Sequence, residues 1–457
     1  MFADASHLFA HNPAGLHYGV GVVALDGPRF GLFVTGFDGP NRLLIWNNGA
    51  LRDVAPPVLA DADRRAVAIA SADLDGDGRE ELYVLNADTF AGPKKHADRL
   101  FKCAPDGQWE DLFARPANAA VRNLAAGRSV VAIDRRGVGR YGFFVANYGR
   151  PMRLYELAPG GGIADLAPAL DLARTTGGRG AVALPLFSHF PDLFCANEQG
   201  ANFAYRNCGD GTFEETAAHL KLTDADEHAR GVATFDAGGA LGLCWANWDG
   251  PHRLMVPRPD GTFRDAATPG FAFPSAARTV VAADFDNDGT DEVFFNQMAE
   301  SNRLFRVQPT EAGIEVTKLE AGDATDPEGC GTGAAVCDID GDGVLELIVS
   351  RGEKLAQPLS IYKARSASPN YLRIRPLTRF GAPARGAVVK AEYGGRVRVK
   401  GVCAGSGYLC QMEPVAHFGL GESRTADRVS VTWPDGAEAV LLNPGGNRTL
   451  NVPYPRG

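Results

Sequence analysis

Seven short apolar runs share one pattern: GLFVTG from Gly31, ELYVLN from Glu81, GFFVAN from Gly142, DLFCAN from Asp192, GLCWAN from Gly242, EVFFNQ from Glu292 and ELIVSR from Glu346. They recur at intervals of 50 to 61 residues. Each follows another apolar run, such as VGVVAL, SVVAID or TVVAAD, and most precede a third, such as RLLIW, RLYEL or RLFRV. Runs such as GTFEETA and GTFRDAA suggest a fourth. Four short antiparallel strands cannot bury both faces alone, so such units must pack on one another around an axis. The prediction is all-β: a seven-bladed β-propeller over 17–368, a small C-terminal β domain over 369–457, and an N-terminal segment 1–16 as a candidate closure strand. A closing strand just after the seventh repeat is the alternative. A helical solenoid would need apolar residues three and four apart, whereas these runs alternate or are continuous. The 55 glycines and 29 prolines fall between the runs, as turns require.

Three hairpins between first and second strands carry one nine-residue pattern: Asp73-Leu-Asp75-Gly-Asp77-Gly78-Arg79-Glu-Glu81, Asp284-Phe-Asp286-Asn-Asp288-Gly289-Thr290-Asp-Glu292 and Asp338-Ile-Asp340-Gly-Asp342-Gly343-Val344-Leu-Glu346. Carboxylates at positions one, three, five and nine, with a backbone carbonyl from Arg79, Thr290 or Val344 at position seven, suit a hard ion with six to eight oxygen ligands. Calcium is therefore expected at three structural sites. Magnesium gives up its water less readily. Glycine at position six permits the left-handed turn that folds such a loop. Without a cation the crowded carboxylates would repel one another. The third repeat keeps Asp134 but follows it with Arg135 and Arg136, so that loop should hold no ion.

The formal net charge of -9 and the lack of a Lys/Arg-rich run exclude a nucleic-acid partner. Three divalent ions would bring the charge to -3. No segment is long and apolar enough to span a membrane. Residues 1–20 lack a basic start followed by an apolar stretch, so the expectation is a cytoplasmic monomer, or a secreted one if a leader was trimmed. The eight cysteines do not form C-x-x-C pairs and read mostly as small core residues, with Cys403 and Cys410 placed to face each other across a Gly-rich turn.

Alternating strand direction sorts the loops onto two faces. The acidic hairpins occupy one. On the other, Arg65, Arg128, Arg179, Arg230 and Arg278 stand at the start of five innermost strands, with His17 at the equivalent place in the first repeat. Loops on that face offer Phe37, Tyr148, Trp248 and His252. Guanidinium groups interleaved with aromatic planes at a channel mouth suit an anionic or sugar-like small molecule, or a protein. The same arginines could instead pair with acids of neighbouring blades and glue the ring. No G-x-S-x-G elbow, phosphate-binding glycine loop or H-E-x-x-H helix is present. The stretch from Asp224 to His228 reads as a charged surface loop and His417 as a structural histidine.

The repeats resemble the FG-GAP/VCBS type of propeller repeat, which has the same D-x-D-x-D-G-x-x-D/E loops. The segment from Asn370 resembles the ASPIC/UnbV domain of the cartilage acidic protein family, on the strength of G-S-G-Y-L-x-Q at Gly405–Gln411, H-F-G-L-G at His417–Gly421 and V-x-W-P-D-G at Val431–Gly436. That resemblance implies a calcium-associated binding or matrix protein, secreted in most members. UnbV-type members imply an alternative: a cytoplasmic, cofactor-free tailoring or cyclising enzyme for a secondary metabolite.

Overall fold

The computed structural model describes residues 1–25, 30–405 and 408–455. The inner strands Val20–Ala24, Ala66–Ala72, Gly127–Ile133, Thr175–Leu184, Ala229–Asp236, Ala277–Ala283 and Gly331–Cys337 each pair antiparallel with the strand that follows. Third and fourth strands complete each unit, so among the described residues seven four-stranded units follow one another. Each inner strand packs on the next, and Gly331–Cys337 meets Val20–Ala24, closing a ring of the β-propeller type. These strands are rich in Gly, Ala and Val because both their faces are covered and neighbours approach closely. The third and fourth units fuse into one sheet where Gly142–Pro151 runs on to pair Tyr148 with Gly177 and Pro151 with Thr175.

The N-terminus closes the ring. Phe2–Asp4 pairs antiparallel with Ser360–Ala364 as the outermost strand of the seventh unit. Phe2 is fully buried and meets Phe285 edge to face at 5.0 Å. The sequence left this choice open.

Residues beyond the ring form two further sheets. In one, Asn370–Pro376 lies between Ala416–Gly421 and, in parallel, Arg448–Val452. The other has the order Arg396–Gly401, Val388–Tyr393, Arg428–Thr432, Glu438–Leu442. They enclose their own core of Leu372, Ile374, Val389, Phe418 and Trp433. This unit sits on the face that carries the acidic hairpins. The segment leading from it enters the ring: Ala132 N–H donates to the Ala404 carbonyl at 2.7 Å, and Val22 N–H to that of Gln411 at 2.9 Å. Gln411 also bonds both backbone groups of Ser71 through its side-chain amide, at 2.8 and 3.0 Å. Gly405, at φ +124°, lets this segment lie against the third inner strand, where a Cβ would meet Val131 Cα at 2.9 Å. Of the expected signature at Gly405–Gln411, residues 406 and 407 lie outside the described residues. The centre of the ring is thus filled by the chain itself, a contact between distant residues that no local pattern announced. No helix of the described residues is long and apolar enough to cross a membrane.

Candidate functional site

The acidic hairpins are alike in detail. Gly78, Gly289 and Gly343 adopt φ of +87°, +87° and +83°, the left-handed turn expected of them. Their N–H groups donate to Asp73, Asp284 and Asp338 at 2.9, 2.8 and 3.1 Å. The ninth-position carboxylates accept from Leu74, Phe285 and Ile339 N–H. Asp77, Asp288 and Asp342 accept from the amides of Arg79, Thr290 and Val344. Three clusters result: Asp73, Asp75 and Glu81; Asp284, Asp286 and Glu292; Asp338, Asp340 and Glu346, each with one ligand oxygen per residue within 4.8 Å of the others.

Those donors fit a hard divalent ion. Burial pushes Glu81, Asp284 and Glu346 up to about 8 and Asp73 up to about 6. Asp75 Oδ1 is buried with no hydrogen-bond partner. Lys102, Arg306 and Lys363, each on the third strand of its unit, reach across to the three clusters. With Arg79 and Arg373 this gives one or two side-chain cations against four carboxylates per loop. Asp134, by contrast, is capped by Val138 and Gly139 N–H, and Arg135 pairs with Glu156 at 2.6 Å.

Two hairpins also hold the C-terminal sheets. Gly419 N–H donates to Asp284 Oδ2 at 3.0 Å, His417 Nε2 lies 2.7 Å from Asn287 Oδ1, and Arg373 pairs with Asp338 at 2.9 Å. His417, expected as a structural histidine, is buried and docks the C-terminal sheet on this hairpin.

On the opposite face, Arg128, Arg179, Arg230 and Arg278 converge at the ring centre and are all buried. What they surround is Tyr408, which the sequence reading did not single out. Arg179 Nη1 donates to the Tyr408 hydroxyl at 2.8 Å. Burial raises the phenol's pKa, but Arg179, Arg128, Arg278 and Arg230 together outweigh it and leave the group more acidic than usual. The aromatic residues interleave as expected: Tyr148 lies 4.6 Å from Arg179, and Trp248 is flanked by Arg278 at 4.6 Å and Arg230 at 5.5 Å. Phe90, absent from the sequence reading, lies 5.3 Å from Arg128.

Part of this array is glue. Glu198 accepts from Arg179 at 2.8 Å and from Arg230 at 2.7 Å, and Glu353 pairs with Arg278. Arg128 differs, since it donates to the carbonyls of Gly127 and Phe90 and has no carboxylate partner among the described residues. A cavity of about 230 Å3 opens there, walled among others by Phe90, Arg128, Arg179, Arg278 and Tyr408, with Asp88 and the Arg278-paired Glu353 also on its lining.

Three expected members stand apart. Arg65 is half exposed, pairs with Asp38 at 3.0 Å and lies over Phe37. His17 is buried with Nδ1 3.1 Å from the Thr35 carbonyl, and burial lowers its pKa. His252 corrects the reading of its loop. It is fully buried, accepts from Asn247 N–H at 3.0 Å, lies 3.0 Å from Ser275 Oγ and stacks on Phe295. Both ring nitrogens are engaged, so no ligand can use them. The Asp224 carboxylate accepts from Trp245, Asn247 and Arg253, so it braces the fifth unit. Cys403 and Cys410 are not joined in a disulfide. Met412 N–H donates to Cys403 Sγ, and burial raises the Cys410 thiol to about 12.

The family described as ASPIC and UnbV matches residues 378–457, and that described as FG-GAP-like repeat matches residues 32–84 and 235–295. Cartilage acidic protein 1 of Homo sapiens is 43% identical over 487 residues, covering 97% of this chain and 73% of its own length. Its namesake in Xenopus tropicalis is 43% identical over 486 residues, with 97% and 74% covered. Among solved structures, the BP39L lectin from Burkholderia pseudomallei aligns with a TM-score of 0.48 at 14% identity, over 76% of this chain and 99% of that one. With relatives this similar along nearly its whole length, the chain belongs to the cartilage acidic protein family.

Proposed function

We propose that this protein is a calcium-stabilised binding module whose arginine mouth receives an anionic group presented by a larger partner, an acidic sugar chain or an acidic protein segment. The observation that carries the reading is Arg128: a buried guanidinium with no carboxylate partner, stacked on an aromatic wall and opening on a cavity. At about 230 Å3 that cavity is smaller than the roughly 300–1,000 Å3 typical of whole small molecules, and it suits one carboxylate or sulfate with its carrier outside. The surroundings agree. The exposed large apolar side chains of the ring, Val54, Val58, Phe90, Leu124, Phe273 and Leu355, all lie in the connecting segments of this face, Val58 in a short helix.

The tailoring-enzyme alternative is not favoured. The ring centre is filled by the chain's own residues 402–405 and 408–412, and the relatives found are cartilage acidic proteins. We take 17–368 and 369–457 as the two domains, and an extracellular setting as what the resemblance implies.

Binding tests the reading. Glucuronate, sulfate and a Glu-rich peptide serve as probes in calorimetry. Arg128→Gln should weaken the probe that binds by about tenfold or more, as loss of a charge-assisted hydrogen bond does, without lowering the unfolding temperature. Equal affinity in the variant would refute the mouth as the site.

Calcium carries its own test. Because Glu81, Asp284 and Glu346 are pushed up to about 8, the metal-free hairpins hold protons at pH 7. Calcium uptake should then release protons, seen as a binding enthalpy that varies with the ionisation enthalpy of the buffer. Binding without proton release would show that the carboxylates are already ionised.

A further inference from the structure

A cavity of about 430 Å3 lies on the hairpin side of the ring, between the first unit, the seventh unit and the C-terminal sheet. Its polar wall follows from strand alternation. In Asn370–Pro376, Leu372 and Ile374 are fully buried in the C-terminal core, so Arg373 and Arg375 turn to the other face. The parallel register sets Thr449 beside Arg373 and Asn451 beside Arg375, and all four line the cavity. Phe30, Leu32, Trp46 and Leu51 of the first unit form the facing wall.

The two arginines differ. Arg373 is paired with Asp338 at 2.9 Å and Glu413 at 2.7 Å. Arg375 is 8% exposed, its Nε is buried and unbonded, and it has no carboxylate or hydrogen-bond partner among the described residues. Its guanidinium lies 5.0 Å over the Phe30 ring. The acids around it do not neutralise it: Asp338 and Asp340, which also line the cavity, are held by Arg373 and Lys363, Glu413 by Arg373 and Glu80 by Arg385. A cation buried without a counter-charge destabilises a fold.

We propose that this cavity is a second ligand site, taking a small organic acid whose carboxylate pairs with Arg375 and whose apolar body lies along Phe30 and Trp46. The planar guanidinium matches a carboxylate in two parallel hydrogen bonds. Asn451 and Thr449 supply further polar groups, and the volume falls within the range of small-molecule sites. The site is separate from the mouth and shares no lining residue with it.

Two measurements test the proposal on the whole protein. Without ligand, Arg375→Met should unfold at the wild-type temperature or above it, since the variant loses an uncompensated buried charge. A fall of about 5 °C or more would make Arg375 a structural residue and overturn the proposal. In calorimetry with indole-3-acetate, benzoate and octanoate as probes, at least one should bind the wild type. Arg375→Gln should weaken that probe about tenfold or more, Arg375→Lys should recover part of the loss, and Arg128→Gln should leave it unchanged. No binding by any probe, or binding untouched by Arg375→Gln, overturns the proposal. A loss in Arg128→Gln alone would place the acid at the mouth and overturn it too, leaving the mouth reading intact.

Discussion

Arg385→Ala should cost the folded protein about 3–5 kcal/mol, seen as an earlier midpoint in urea unfolding, because it leaves a buried carboxylate without its cation. Arg385 belongs to the C-terminal unit yet is fully buried beneath the ring. Its Nε donates to Glu80 at 2.5 Å, its Nη1 to the Cys403 carbonyl at 2.8 Å and its Nη2 to Ser71 Oγ at 3.1 Å. Its own carbonyl accepts from the Tyr141 hydroxyl at 2.8 Å. One residue thus joins the second unit and the inserted segment through its side chain and the third unit through its carbonyl. Combining Arg385→Met with Glu80→Leu removes both charges together and should restore much of the loss, the signature of a coupled pair. If Arg385→Ala is as stable as the wild type, the C-terminal unit is not anchored in the way described.

Chelation should have the second large effect. An ion that binds only the folded state stabilises it by about 2.7 kcal/mol per site at a hundredfold excess over Kd. Removing three ions should therefore lower the unfolding temperature by on the order of 10 °C, and calcium should restore it better than magnesium. Asp286→Ala and Asp340→Ala should each reproduce part of the loss. Lys102, Arg306 and Lys363 hold the chelated hairpins together, so Lys102→Met should destabilise the chelated protein more than the calcium-loaded one. An unfolding temperature indifferent to chelator would mean that these side-chain cations suffice.

The effects also converge on the mouth. Asp284 and Asp338 hold Gly419 and Arg373, the C-terminal unit sends Ala404 and Gln411 into the ring, and Tyr408 meets four arginines at the far side. Acidic hairpins, docked sheets and arginine array form one connected structure.

Strand repeats and acidic hairpins were legible in the sequence because both depend on local spacing: alternation marks the strands, and Gly78, Gly289 and Gly343 mark the left-handed turns. The arginines at the strand entries were legible for the same reason. Their partners were not, because Glu198 and Tyr408 come from other parts of the chain and meet Arg179 only through the closed ring. His252 misled, since it sits on a mouth loop but turns inward to Asn247 and Ser275. Arg375 did leave a signal: in LRIR, arginines alternate with apolar residues whose burial forces both guanidinium groups onto one face.

The most direct test of the account is a crystal structure of the calcium-loaded protein soaked with the anionic probe that binds best through Arg128. Density for the anion is expected between Arg128, Arg278, Phe90 and Tyr408, with Tyr408 still bonded to Arg179. An open ring centre with Ala404, Tyr408 and Gln411 elsewhere, or an anion bound away from these four residues, would rule it out.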